Sequence, residues 1–194
     1  AEAKGDDWVA RVEQISSSSE PTFTNKQKAP LIKWAKQALK PSMPMFTKEH
    51  KPQVLGDPNT MVLEVTWPYV ADDGSGQWVE ELSYTKVYNN FRDIVDTMFT
   101  KIEGLKKLTF VGKHKDQVIM RVWLTADQYK SLDMQQTVEQ EINAYAGAFV
   151  QKLMNKEVTE KVYNRKVAKR TREVFRKILS RLPEEQVEVH KKYR

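Results

Sequence analysis

The chain has 194 residues, with 32 Lys and Arg against 26 Asp and Glu, and so a formal net charge of +6. This length suits one domain of ordinary size, or one domain with extensions, and a hydrophobic content of 40% argues against a wholly disordered chain. The absence of cysteine excludes disulfides, thiolate metal sites and cysteine nucleophiles.

Two further features of the sequence bear on where the protein works. Its apolar runs fall far short of the ~20 residues that cross a bilayer. The opening Ala1–Asp7 also lacks the pattern of a signal peptide. We therefore expect a soluble protein that binds no membrane, intracellular or particle-associated rather than secreted.

Residues 1–58 have the composition of an arm with two short helices on Pro- and Ser-rich tethers. Trp8 starts an amphipathic pattern that ends at four serines, residues 16–19. Pro30 suits the first position of a second short helix, and the sequence from Pro41 to Asn59 predicts an irregular tether.

Helices this short are marginal in water, so their apolar faces need a partner surface. They either fold back on their own domain or clasp another subunit. We take the large apolar residues of the two helices as candidate partner-binding residues: Trp8, Leu31, Trp34 and Leu39.

Residues 59–155 read as an α+β core domain. Alternating apolar residues predict a strand from Met61 and a second from Trp78 to Tyr88, joined into a hairpin by the turn residues Asp72–Gly76. A helix should follow, capped by Asn89 or Asn90 and ended by Gly104.

A second hairpin is predicted around the polar turn Gly112–Asp116. Thr125 and Gln128 have the spacing of a capping box for a short helix, and a longer helix should begin near Asp133. Two hairpins disfavour a parallel sheet. The predicted fold class is therefore α+β, with an antiparallel sheet of about four strands, packed helices, a long basic C-terminal helix and an extended N-terminal arm.

Residues 156–194 form the basic C-terminal helix and tail. Between Lys161 and Arg181, nine positive charges and the single acid Glu173 give +8, so the rest of the +6 chain sums to −2. The candidate nucleic-acid-binding residues are Lys161, Arg165, Lys166, Lys169, Arg170, Arg172, Arg176, Lys177 and Arg181.

At 100° per residue, four of these side chains fall within roughly a 40° arc opposite the apolar face. These are Arg165, Lys169, Arg172 and Arg176. The row is compatible with a solvated helix face, with contacts to nucleic-acid phosphates, or with an acidic partner. Val158 and Val162 project on the cationic side, so we expect a break near Asn164, a helix that touches its own domain at one end and a neighbour at the other, or a last strand over 158–163.

The sequence offers little catalytic chemistry. His50, His114 and His190 have no metal-ligand spacing, and the motifs of phosphate loops and nucleophile elbows are absent. We therefore expect no cofactor, no metal and no enzyme activity. Trp67 and Trp123 could form a base-stacking platform if they share an exposed sheet face.

These patterns favour a non-enzymatic structural or assembly subunit, nucleocapsid-like or part of a ribonucleoprotein. It would bind nucleic-acid phosphates through the basic helix and neighbouring subunits through the arm. The alternatives are a protein–protein scaffold whose basic helix meets an acidic partner, and a small-ligand enzyme.

Overall fold

Five strands form one sheet in the order β1-β2-β3-β4-β5 in the computed structural model of the chain, which describes residues 31–41, 48–70 and 81–194. The strands are β1 (Gln53–Asp57), β2 (Val62–Pro68), β3 (Lys107–His114), β4 (Gln117–Thr125) and β5 (Val187–Val189). The α-helices are α1 (Leu31–Leu39), α2 (Tyr84–Lys101), α3 (Ala126–Leu132), α4 (Met134–Val138), α5 (Ala144–Met154) and α6 (Glu160–Leu179). The α+β fold class is confirmed, with five strands rather than about four.

The first predicted hairpin is wrong in its second strand. β2 pairs antiparallel with β1, which lies in the stretch predicted as an irregular tether. On its other side β2 pairs parallel with β3, so the sheet is mixed, and α2 makes the crossover that a parallel pair requires. Asp72–Gly76 and the first three residues of the predicted strand, 78–80, lie outside the described residues.

The rest of that predicted strand is helical because α2 begins at Tyr84. Ser83 caps it, its Oγ accepting a hydrogen bond of 3.1 Å from the Lys86 amide. Tyr84, Val87 and Phe91 have helical spacing, and the last two are fully buried. Burial of this stripe outweighs the β-propensity of Tyr, Thr and Val.

The second predicted hairpin is confirmed, with a tighter turn than expected. β3 and β4 pair antiparallel, and only Lys115 and Asp116 connect them, with φ of 51° and 64°. The predicted capping box is also confirmed: Thr125 and Gln128 bond each other's backbone amides at 3.2 and 3.0 Å.

The C-terminal region corrects two further expectations. α6 begins at Glu160 and runs without a break past Asn164, so neither the break nor a strand over 158–163 is present. Val158 precedes the helix, so of the two valines only Val162 lies on α6 among its basic residues. The fifth strand is instead β5, in the tail, paired antiparallel with β4.

One core joins residues from all three predicted segments. It lies between one face of the sheet and the helices, and it includes Leu31, Phe110 and Phe175, each fully buried. The Phe175 ring stacks on Tyr88 with centroids 5.1 Å apart, and Phe91 meets Phe110 edge-on at 5.4 Å. The helix from Leu31 therefore folds back on its own domain.

We predict that Gly112→Ala lowers the free energy of unfolding by about 1–3 kcal/mol, because an added Cβ would lie 2.5–2.8 Å from the buried ring of Tyr69. Gly147→Ala is the matched control, since nothing lies within 4 Å of its Cβ position in α5 and alanine favours a helix by about 0.5–1 kcal/mol. Urea denaturation of both variants measures the difference. Equal stability of the two variants would contradict the predicted clash.

We also predict a pH-dependent effect of Asp96→Asn. Burial raises the pKa of the Asp96 carboxyl, while the hydrogen bond that Tyr129 donates at 2.6 Å partly offsets it. A raised pKa favours the protonated acid in the fold, so its stabilising contribution is present below the unfolded pKa and is lost as the pH rises through the folded pKa. Relative to the parent chain, the variant should gain stability in urea denaturation as the pH rises above about 4, the ordinary pKa of an aspartate. A relative loss over that range would contradict the assignment.

Candidate nucleic-acid interface

The basic helix α6 is anchored by its second half. Thr159 caps its start, accepting a hydrogen bond of 3.2 Å from the Val162 amide. Its buried residues all belong to the face predicted to be apolar: Thr171, Val174, Phe175, Ile178 and Leu179. The opposite face is therefore turned away from the core.

The first half of α6 packs on α5 instead of the core. Neither α5 nor α6 before Thr171 contains a buried residue. Tyr145 and Phe149 of α5 are half-buried and pack together with ring centroids 5.0 Å apart. They meet cations of α6, since the Arg170 guanidinium lies 5.0 Å from the Tyr145 ring centroid and Lys166 Nζ lies 5.7 Å from that of Phe149.

The nine predicted basic residues fall on two flanks of α6 and its C-terminal turn. One flank, which we call the inner flank, faces α5 and the π-helical turn Glu139–Asn143 that precedes it. It comprises Lys166, Arg170, Lys177 and Arg181. Each of these four side chains contacts another part of the chain.

Three inner-flank residues make polar contacts. Arg170 Nε donates to the Glu141 carbonyl oxygen at 3.0 Å, and Lys177 Nζ pairs with the Glu141 carboxylate at 3.2 Å. Arg181 donates to the Leu132 carbonyl oxygen at 2.9 Å. These cations stabilise the packing of the helices. The sequence periodicity alone did not distinguish this structural role from phosphate binding.

The other flank, which we call the outer row, consists of Lys161, Arg165, Lys169, Arg172 and Arg176. All are exposed except Arg172, which is half-buried. Among the described residues, no Asp or Glu carboxylate lies within ion-pair distance of any of them. From Arg165 to Arg176 the row extends about 16 Å along the helix.

The chain's last residues extend the outer row, which sequence reasoning missed. Arg172 Nε donates to the Arg194 carbonyl oxygen, and its guanidinium lies 5.1 Å from the Tyr84 ring centroid. Buried Tyr193 secures this tail, donating from its hydroxyl to the Leu82 carbonyl oxygen at 2.9 Å. The basic sequence from Lys191 was visible, but its position beside α6 depends on these long-range contacts.

A cleft of about 700 Å³ lies at the end of the row, between α6 and β5. Arg176 and Arg194 contribute its basic side chains, and Tyr88 lies on its wall. Burial raises the pKa of Tyr88 to about 12, and the positive charges of Arg172 and Arg176 oppose that shift. Glu184 and Glu188 also line the cleft, so it contains two acidic side chains beside its two arginines.

The candidate partner-binding residues separate in the structure. Leu31 is fully buried and Leu39 is 2% exposed, both in the chain's own core. Trp34 is half-buried against the same core. Trp8 lies outside the described residues.

Other chemistry is sparse in the described part of the chain. No cluster of three or more acidic or histidine side chains there could hold a metal ion, and no helix there could cross a membrane. Trp67 and Trp123 do not form one platform, because Trp67 lies on the helix side of the sheet, donating to Asn90 Oδ1 at 2.7 Å, and Trp123 lies on the opposite face.

Comparison with known proteins finds no match to a protein family, to a curated protein or to a solved structure. The functional proposal therefore rests on the geometry and the charge described above.

We predict that the two flanks respond differently to mutation. Arg170→Gln should lower the free energy of unfolding by about 1 kcal/mol, because it removes the hydrogen bond to Glu141 and the contact with Tyr145. Arg165→Gln, on the exposed outer row, should change it by less than about 0.5 kcal/mol. Urea denaturation of the two variants measures this, and equal losses would contradict the division into flanks.

Proposed function

We propose that this protein is a non-enzymatic structural subunit that binds nucleic acid through the phosphates, using the outer row of α6. The observation that supports this most directly is a row of Lys and Arg, all exposed except Arg172, with no Asp or Glu partner among the described residues. On an ordinary helix surface, charges of both signs alternate and pair. The inner flank has one such pair, between Lys177 and Glu141 of the π-helical turn.

Charge and length both suit a polyanion. Like charges one turn apart destabilise a helix by a few tenths of a kcal/mol per pair, so a bound anion would relieve repulsion along the row. Duplex DNA carries one charge per about 1.7 Å of its axis, and a row about 16 Å long can therefore meet several phosphates. Arginine adds bidentate contacts to phosphate oxygens.

The proposed binding does not distinguish sequences. Contacts to phosphate position a protein without reading bases, and the outer row meets a ligand through Lys and Arg side chains, with exposed Glu173 one turn from Lys169. Affinity should therefore be similar for unrelated sequences and should fall steeply with salt, because bound cations release counterions.

We predict that Arg165→Gln, Lys169→Gln and Arg176→Gln together weaken nucleic-acid binding about tenfold or more at ~0.1 M salt. The loss should be similar for unrelated sequences, and the salt dependence should flatten by about two to three units of slope. Filter binding over a salt series measures both. Arg172 stays unchanged in this variant because it also holds the tail.

The matched control removes three exposed lysines, two in α1 and one directly after it: Lys33→Gln, Lys36→Gln and Lys40→Gln. Both triple variants lower the net charge from +6 to +3, so a general charge effect would weaken them equally. The proposal requires a much larger loss for the α6 variant. Unchanged affinity and slope in that variant would overturn it and leave an acidic protein as the partner of the row.

Contact with neighbouring subunits through the N-terminal arm remains a second component of the proposal. Leu31 and Leu39 are packed in their own core and are not accessible to a neighbour. This component therefore depends on Trp8 and on the half-buried Trp34.

A further inference from the structure

The backbone of β5 points some of its polar groups away from the sheet. β5 pairs with β4 on one side, and no described strand lies on its other side. The His190 amide donates to the Ile119 carbonyl oxygen at 2.8 Å, and in an antiparallel ladder such bonded positions alternate with positions that point outwards. The amides and carbonyl oxygens of Val187 and Val189 therefore point to the outer edge of β5.

Two of these four outward groups already have partners within the chain. The Val187 amide donates to the Glu184 carbonyl oxygen, and the Val189 carbonyl oxygen accepts a hydrogen bond of 2.9 Å from Arg194 Nε. The other two, the Val187 carbonyl oxygen and the Val189 amide, have no hydrogen-bond partner in the part of the chain that the structure describes. The edge thus presents one acceptor and one donor, on either side of Glu188.

The cleft between α6 and β5 lies along this edge. All three residues of β5 line it, and Leu179 and Leu182 contribute apolar side chains to its wall. Its volume of about 700 Å³ falls within the roughly 300–1,000 Å³ of ordinary ligand sites. The acceptor and the donor therefore border a partly apolar space large enough for several side chains of a ligand.

We propose that this cleft binds an extended peptide of another protein, which adds a sixth strand to the sheet along β5. One residue of a strand parallel to β5 would donate its amide to the Val187 carbonyl oxygen and accept from the Val189 amide. Its two neighbours would then place their side chains on the same side of the sheet as those of Val187 and Val189, which line the cleft. These two neighbours should therefore be apolar.

The charges in the cleft favour an acidic residue at the C-terminal end of that peptide. In the parallel orientation, this end lies beyond Val189, where Arg194 is held by its hydrogen bond. Arg176 lines the same cleft. Glu184 and Glu188 line it too, yet neither arginine has an Asp or Glu carboxylate within ion-pair distance among the described residues. A carboxylate on the peptide would supply the acidic partner that both arginines lack.

A second copy of the same edge fits these groups less well. Two β5 strands related by a two-fold axis would pair antiparallel. Because the Val187 amide and the Val189 carbonyl oxygen are already bonded, the two remaining groups allow only the register that sets Glu188 directly opposite its own copy. Like charges directly opposite each other destabilise a pair of strands. The edge therefore favours a different chain.

The experiment uses the full chain and the probe peptide fluorescein-Ser-Gly-Ile-Thr-Val-Asp-Gly-Ser-amide, whose Thr is the residue expected to bond to Val187 and Val189. Two control peptides each change one feature: N-methylation of the Thr amide removes the donor, and Lys in place of Asp reverses the charge. Fluorescence anisotropy measures the affinity of each peptide. Hydrogen exchange of single amides, followed by NMR, locates the bound peptide.

We expect the probe peptide to bind at least about tenfold more tightly than either control, because each control removes an interaction that the cleft offers. Saturating peptide should slow exchange of the Val189 amide at least about tenfold. The neighbouring His190 amide is the internal control, since its bond to Ile119 is present with or without the peptide.

A pair of protein variants tests the charge argument. Arg176→Gln should reduce the preference for the Asp peptide over the Lys peptide at least about threefold. Arg165→Gln removes the same charge from an exposed position on the outer row, outside the cleft, and should leave that preference unchanged. An equal effect of the two variants would contradict the assignment of the acidic residue to this cleft.

Three outcomes would overturn the proposal. The first is no binding of the probe peptide, or equal binding of the N-methylated peptide. The second is protection of the Val189 amide that is present without peptide and disappears on dilution, which would assign the edge to a second copy. The third is protection of that amide by a single-stranded oligonucleotide and not by the peptide, which would assign the cleft to nucleic acid. The proposal does not rest on phosphate binding by the outer row, and either can fail alone.

Discussion

The packing of α6 against α2 is the constraint on which the rest of the structure depends. Phe175 stacks on Tyr88 and meets Phe91 edge-on, so the rotation of α6 about its own axis is set by buried aromatic contacts. With that rotation set, the outer row points away from the core and the inner flank points at α5. Any function of the basic helix therefore depends on side chains that carry no charge.

Burial and charge also explain why the nine basic residues are not equivalent. Arg170 donates to the Glu141 carbonyl oxygen in the π-helical turn, and Arg181 donates to the carbonyl oxygen of Leu132, the last residue of α3, which would otherwise lack a partner. Their long apolar stems cover neighbouring helices. Among the described residues, Arg172 is the one outer-row cation that makes such a bond, to the Arg194 backbone oxygen, and the mutual repulsion within the row makes this face suitable for a polyanion. The inner flank stabilises the fold that presents the outer row.

Both edge strands of the mixed sheet come from predicted extensions, β1 from the arm and β5 from the tail. Joining β2 to β3 in parallel through α2 keeps the described helices that contribute to the core on one face of the sheet. The short strand β5 adds the tail to the far edge of the sheet, and the tail places Arg194 beside Arg172. Segments that looked like extensions in the sequence are therefore parts of the domain.

The sequence by itself determined the α+β class, the β3–β4 hairpin, the Thr125 capping box and the apolar face of α6. Each depends on hydrophobic periodicity or turn chemistry, which residues close together in the sequence specify. Tertiary structure alone decided that Tyr84–Tyr88 is helical, that Gln53–Asp57 is a strand and that Arg170 is structural. These outcomes depend on contacts between residues that are distant in the chain. Burial of those residues stabilises the fold by more than the few tenths of a kcal/mol by which intrinsic propensities differ between residue types.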